Sequence, residues 1–170
     1  MRFRNWPTTR HIQRLMVWLS VITIAVAALM VGNELTVAAF LHSTLYRLDD
    51  DSHASAARAF ARLFGRVMPP WYTATLLLTL ANLWLQWNRV PATRWLLAAS
   101  GALWLISIIY TIVLPLPINN RIARWDLTTL PANWLEERRR WDRYHQLRVG
   151  LLAVALFCLI LGLLKSATGC

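Results

Sequence analysis

Residues 134–164 read WLEERRRWDRYHQLRVGLLAVALFCLILGLL, with no proline among them. Positions 134, 138, 141, 145 and 148 advance by four, three, four and three, so Trp134, Arg138, Trp141, His145 and Arg148 share one helix face. Asn133, with Glu136 three residues on, fits a capping box in which Asn replaces the usual Ser or Thr. Beyond Arg148, charge disappears until Lys165. The stretch predicts one helix, polar along a single face at its start and apolar all round afterwards, with Gly150 its only weak point. Polar groups beside a membrane are costly to place and mark a site.

Working outward, three more charge-free blocks precede this one. Leu15–Val31, Trp71–Trp87, Trp95–Leu114 and Val149–Leu164 run 16 to 20 residues each, against the ~20 that cross a bilayer as a helix. A backbone in lipid must satisfy its own hydrogen bonds, so each block reads as a helix. The expected fold is all-α, an integral membrane four-helix bundle running up-down-up-down as a single domain over residues 1–170. Its spans cover about 15–34, 71–87, 95–114 and 148–165, and its elaborated loops 47–70 and 115–147.

Composition agrees. Of 170 residues 57% are hydrophobic, and three of the ten Trp (Trp71, Trp87, Trp95) stand at block ends, where indoles prefer the headgroup region. The basic segment Met1–Arg14 leads into a long block without a small-residue cleavage site, which argues against a cleaved signal peptide. Cys158 and Cys170 have no neighbouring partner, so neither a disulfide framework nor a thiolate metal site is implied. The net charge of +10 comes from arginines that flank apolar blocks without a nucleic-acid motif, which excludes nucleic acid as partner and leaves membrane lipids and a lipophilic small molecule.

Orientation rests on competing counts. Seven cations flank the N-terminus, second loop and C-terminus (Arg2, Arg4, Arg10, Arg14, Arg89, Arg94, Lys165), and eleven lie in the other two loops. Asp126, Glu136, Glu137 and Asp142 are expected to pair with part of the eleven, which puts the N-terminus in the cytoplasm of a bacterial inner membrane.

The first helix meets no breaker after Gly32 and is expected to continue to Tyr46. Asp49-Asp50-Asp51-Ser52 signals a turn and a helix start. Ala54–Val67 reads as a short amphipathic helix with Arg58, Arg62 and Arg66 on one face, ended by Pro69-Pro70. Pro115 and Pro117 stop the third span, and Asn119-Asn120-Arg121 after them reads as a turn or as an oxygen-binding group. In this topology Glu34, His42, Asn119, Asn120, Arg121, Trp141, His145 and Arg148 gather at one end.

Glu34 lies about 30 Å along the first helix from Arg14, near the far hydrocarbon edge where Arg148 begins the last span, so a Glu34–Arg148 ion pair is expected. Glu34, His42 and His145 are ligand types for a single iron or copper ion, although by rise alone His42 stands about 12 Å beyond Glu34 and His145 only about 4.5 Å beyond Arg148. Trp125 and Trp141 are candidates to stack on a flat ring, with Arg138 beside them. His11 and His53 read as ordinary interfacial or loop residues.

Gly32-Asn-Glu34 with His42, Gly65-Arg-Val-Met-Pro69, Pro117-Ile-Asn-Asn-Arg121 and Arg140-Trp-Asp-Arg-Tyr-His-Gln-Leu-Arg148 together resemble the anthrone oxygenase-like family of small four-span membrane proteins. Ser43 departs from it, since relatives tend to have Pro after the His. The resemblance implies oxidation of a lipophilic anthrone-, phenol- or quinol-like aromatic with O2. His145 or Glu34 would act as base, and Arg121, Arg148, Asn119 and Asn120 would stabilise negative charge, either without a cofactor or with one metal ion. The competing reading is a non-enzymatic membrane binder or accessory protein whose basic Ala54–Val67 face docks a partner or anionic headgroups. A transporter is poorer, because four spans without repeats need a homo-oligomer to supply alternating halves.

Overall fold

The structure, a computed structural model, describes residues 8–88 and 90–168, with side chains from Gln13 onward. Arg2, Arg4, Arg89 and Cys170, and the side chains of Arg10 and His11, fall outside the described residues. Among the described residues the chain is all-α, without a strand. Helix α1 covers Thr8–Thr36 and passes through a π-helical turn, Val37–Leu41, into α2, His42–Leu45. Then follow α3, Asp50–Leu85; α4, Pro91–Val113; α5, Pro115–Ile122; and α6, Trp134–Thr168.

The first helix thus continues past Gly32 to Leu45 as its sequence suggests, with one unforeseen feature. The π turn takes in an extra residue and rotates everything after it by about 100°. In an unbroken α-helix His42 would point about 80° away from Glu34; after the π turn it returns to within about 20°. Asp49 caps α3, its carboxylate accepting from the Ser52 amide at 2.9 Å.

Helix α3 corrects the expected short amphipathic helix followed by a separate span at 71–87. It runs unbroken for 36 residues with Pro69 and Pro70 inside it. Each proline removes a backbone donor and crowds the preceding turn, so continuity depends on contacts on either side. Asn119 Nδ2 donates to the Ala61 carbonyl at 3.0 Å, and Trp71 Nε1 donates to the Val26 carbonyl at 3.1 Å. Ala54, Ala57 and Ala61 are buried against α5 and α6. Arg58 and Arg62 donate to the Trp125 and Ala123 carbonyls at 2.9 and 2.8 Å, closing the end of α5.

Among the described residues three helices are long and apolar enough to cross a membrane, Gln13–Leu45, Pro91–Val113 and Trp134–Thr168, where the sequence led to four. The apolar half of α3 is diluted by Tyr72, Thr75, Thr79 and Asn82, which turn inward and are buried. Asn82 Nδ2 donates to Thr23 Oγ1 at 2.8 Å, while Ser20 and Gln86 donate to Asn82 Oδ1 at 3.0 and 2.9 Å, tying α1 to α3. These groups are satisfied inside the protein, so they do not face lipid.

The four long helices touch in a ring, α1 to α3, α3 to α4, α4 to α6 and α6 to α1. Their core joins Met30, Met68, Leu97, Trp104, Leu152 and Leu159. A second apolar cluster, including Ile118, Ile122 and Trp125, packs α5 and the π turn on α3 and α6. Pro115 opens α5, so Asn119-Asn120-Arg121 is helical and not a turn. Helix α6 begins at Trp134 and crosses Gly150 without a break. Three of the four acidic residues expected to pair do so, in Arg121–Glu137, Arg138–Asp142 and Arg140–Glu136.

Gly162 sets the α4–α6 approach: a Cβ there would meet Leu97 at 3.1 Å and Leu96 at 3.2 Å. Gly162→Leu is expected to destabilise the detergent-solubilised protein by about 1–3 kcal/mol, read as a lowered unfolding midpoint. An unchanged midpoint would contradict this packing.

Candidate functional site

The α1, α3, α4–α5 and α6 walls enclose a cavity of about 280 Å³. Most of its wall is apolar, from residues such as Phe64, Met68, Ile108 and Leu116. Its polar end carries Glu34, Tyr72, Thr111, Asn119, His145 and Arg148, beside Trp141.

Arg148 organises this end. It lies one turn above His145 on α6 and faces α1, where Nη2 donates to Glu34 Oε2 at 2.6 Å, the pair the sequence suggests. The same nitrogen is 2.8 Å from His145 Nδ1. A guanidinium only donates, so Nδ1 must be the unprotonated ring nitrogen. His145 Nε2 then carries the hydrogen and donates to the Glu34 backbone carbonyl at 3.2 Å. Both imidazole nitrogens are engaged. Glu34 Oε2 is in contact with Arg148 and, at 3.3 Å, with His145 Nδ1. The Arg148 guanidinium also lies 5.6 Å from the Tyr72 ring centre and 3.5 Å from Thr111 Oγ1. The Tyr72 hydroxyl is buried near Glu34 but forms no hydrogen bond of ordinary geometry.

In the cavity wall, Trp141 stacks on His145 with ring centres 4.9 Å apart and planes 9° apart. His42 meets both edge-on, at 5.6 Å from Trp141 and 5.0 Å from His145. The height mismatch expected between His42 and His145 is therefore closed by the π turn and the packing of α1 on α6. Arg138 lies over Trp141 at 4.6 Å and pairs with Asp142 at 2.8 Å. Asp142 also accepts from the Tyr46 hydroxyl at 2.7 Å and stands 3.4 Å from His42 Nε2. Tyr46 in turn meets His53 edge-on at 4.9 Å, and His53 meets Trp134 at 5.2 Å. His53 is thus a buried residue, correcting its reading as an interfacial one, and burial together with nearby Arg138 lowers its pKa.

The structure separates the remaining sequence candidates from this site. Asn120 is exposed. Arg121 is exposed too, and its Nε pairs with Glu137 Oε1 at 2.5 Å on the outer side of α5. Because α5 is a helix, Asn119 points inward while its two successors turn out. Trp125 is buried in the second apolar cluster, edge-on to Trp134 at 6.0 Å, and does not line the cavity. Arg138 and His42 stand behind Trp141, outside the cavity wall.

Glu34, His42 and His145 are not brought together as one ligand group. Among the described residues no group of three or more His, Cys, Asp or Glu side chains is arranged to hold an ion. The physical reason is Arg148, whose guanidinium occupies the place between the Glu34 carboxylate and the His145 lone pair.

Sequence reasoning missed Tyr72, Thr111 and Tyr46, and read Asp142 only as a partner for an arginine. Arg138 and Asp142 are four apart on a helix, a visible pairing signal. Tyr72 and Thr111 carry no such mark, since each stands among other uncharged residues in a span-like run, with no charged partner at helical spacing.

No curated protein and no solved structure matches the chain. The family model described as Anthrone oxygenase matches residues 57–158, which takes in Tyr72, Thr111, Asn119, Trp141, His145 and Arg148. That match covers more than half of the 170 residues, and the chain belongs to the anthrone oxygenase family.

Proposed function

We propose that the protein is a membrane-embedded oxygenase that oxidises a lipophilic anthrone-, phenol- or quinol-like aromatic with O2 in the cavity between its helices. The observation that carries this is the Glu34–Arg148 pair at the polar end of an otherwise apolar cavity. Family membership supports the reaction class. In this reading 71–85 of α3 is the fourth span of an up-down-up-down bundle in a bacterial inner membrane, with the N-terminus in the cytoplasm. Its inward polar face, satisfied by α1, supports that placement.

Glu34 is the base in this mechanism. His145 has both ring nitrogens engaged, so it positions Arg148 and the Glu34 segment instead of taking a proton. Glu34 Oε1 removes a proton from the activated methylene of the substrate, and the negative charge moves onto the ring oxygen. Arg148 and the Tyr72 hydroxyl are placed to stabilise that oxyanion, taking over the role read for Asn120 and Arg121. The electron-rich carbanion reduces O2 and forms a C–O bond. Protonation gives a hydroperoxide, which loses water to leave a carbonyl. One oxygen atom stays in the product; the other leaves as water with the two methylene hydrogens. Trp141, stacked on His145 and covered by Arg138, borders the ring site and holds its polar end rigid.

A second reading, a binder without catalysis, draws on the satisfied state of His145. Turnover separates the two. Glu34→Gln keeps the size of the side chain and is expected to lower anthrone-dependent O2 consumption about 10²–10⁴-fold, with the folded protein still present by its unfolding midpoint. Undiminished oxidation by that variant would remove Glu34 as base, and a wild type inert towards anthrones and naphthols would favour the binder.

The guanidinium between Glu34 and His145 gives a second expectation. Purified wild type should carry no stoichiometric iron or copper, and His42→Ala and His145→Ala should leave metal content unchanged. Stoichiometric metal in wild type that both variants lose would overturn this arrangement.

A further inference from the structure

The cavity has one closed, polar end and one open side. Two stripes of residues border the opening. Gly65, Pro69 and Thr73 recur every four residues on α3 and are exposed while also lining the cavity. Facing them, Ile108, Ile112 and Leu116 recur with the same spacing along α4 and α5. Ile112 is 56% exposed although it is part of the wall. Helices α3 and α4 are neighbours, so the mouth is the crevice between them.

What lies outside that mouth is apolar. Ile109 and Val113 on the α4 side and Val67 and Leu77 on the α3 side are 53%, 62%, 43% and 60% exposed. Such residues flank the opening where α4 is an apolar helix long enough to span a bilayer. The mouth therefore faces acyl chains. Its α3 edge is also kept narrow: glycine has no side chain, and Asn119 packs where a Gly65 Cβ would approach to 3.3 Å.

We infer that the cavity is loaded sideways from the bilayer through the α3–α4 crevice, and that its ligand is an oxygen-bearing ring compound with an apolar chain that remains in the mouth. The proposal rests on the oxygen-bearing ring assigned above to the polar end. The ring oxygen goes inward to Arg148 and Tyr72. The chain lies between Thr73 and Ile112, where it exchanges lipid contacts for apolar protein contacts and costs little desolvation. A fully polar ligand would have to cross that apolar mouth to reach the charges.

Binding without turnover tests this. Two probes, 2-naphthol and a naphthol carrying a dodecyl chain, are titrated against the protein in dodecylmaltoside micelles, and apparent Kd is taken from the ligand-dependent rise in unfolding midpoint. Ile112→Trp and Thr73→Trp narrow the mouth; Ile109→Trp adds the same bulk on the exposed face beside it. Partitioning into micelles is common to all variants, so ratios between them report the site. The expected result is an apparent Kd for the alkylnaphthol raised about tenfold or more in both mouth variants. The 2-naphthol value should stay within about twofold, and Ile109→Trp should resemble wild type for both probes. Equal losses for both probes, no loss for either, or no alkylnaphthol binding by wild type would overturn the inference. Mouth-dependent binding in a protein that never consumes O2 would leave the inference standing and sink the oxygenase reading instead. Oxidation of anthrone with mouth-insensitive alkylnaphthol binding would do the reverse.

Discussion

A guanidinium and a carboxylate buried between the last and first long helices govern the polar end of this protein. Arg148 and Glu34 are 114 residues apart in sequence and 2.6 Å apart in the structure. Each would be costly alone in such surroundings, since removing one partner of a buried pair typically costs ~3–5 kcal/mol. Together they fix the register of α6 against α1 and bring His145 onto the Glu34 carbonyl. The same pair determines the chemistry open to the site. By donating to both the carboxylate and the imidazole, Arg148 fixes one tautomer of His145 and fills the space between the two groups.

Helix α3 supplies the other half of the arrangement. A glycine and two prolines in the middle of a 36-residue helix would ordinarily weaken or bend it. Here tertiary contacts from Asn119 and Trp71 hold the helix on either side of them. The same residues leave the α3 edge of the cavity low, so that a pocket with charges at its base opens between helices and not through a polar loop. Further along, the polar face of α3 is turned inward and closed by Thr23, Ser20 and Gln86. One helix thus combines a lipid-compatible exterior, a polar seam and the cavity mouth.

The π turn links these parts. Without it Glu34 and His42 would lie on different sides of the first helix; with it both face α6. His42 then meets the Trp141–His145 stack edge-on, backed by Arg138 and Asp142, which stiffens that side of the cavity. That layer contains more titratable groups than the reaction needs, and its order comes from packing and paired charge.

Periodicity and local chemistry determined much of this from the sequence alone. The all-α class, the three apolar helices, the cap at Asp49, the continuation of the first helix and the unbroken α6 all follow from interactions within a few residues along the chain. The Glu34–Arg148 contact was also readable, because two lone charges at one membrane depth have few other partners. Interactions between distant segments decided the rest. Pro69 and Pro70 stay inside a helix that Asn119 bonds at Ala61, 58 residues back, and whether Asn120 or Arg121 reaches the site depends on α5 being a helix rather than a turn. The π turn, the inward aim of Tyr72 and the guanidinium between Glu34 and His145 each depend on packing between α1, α3 and α6. Residue spacing carries no record of that packing, because it sets which groups share a helix face but not which neighbour that face meets.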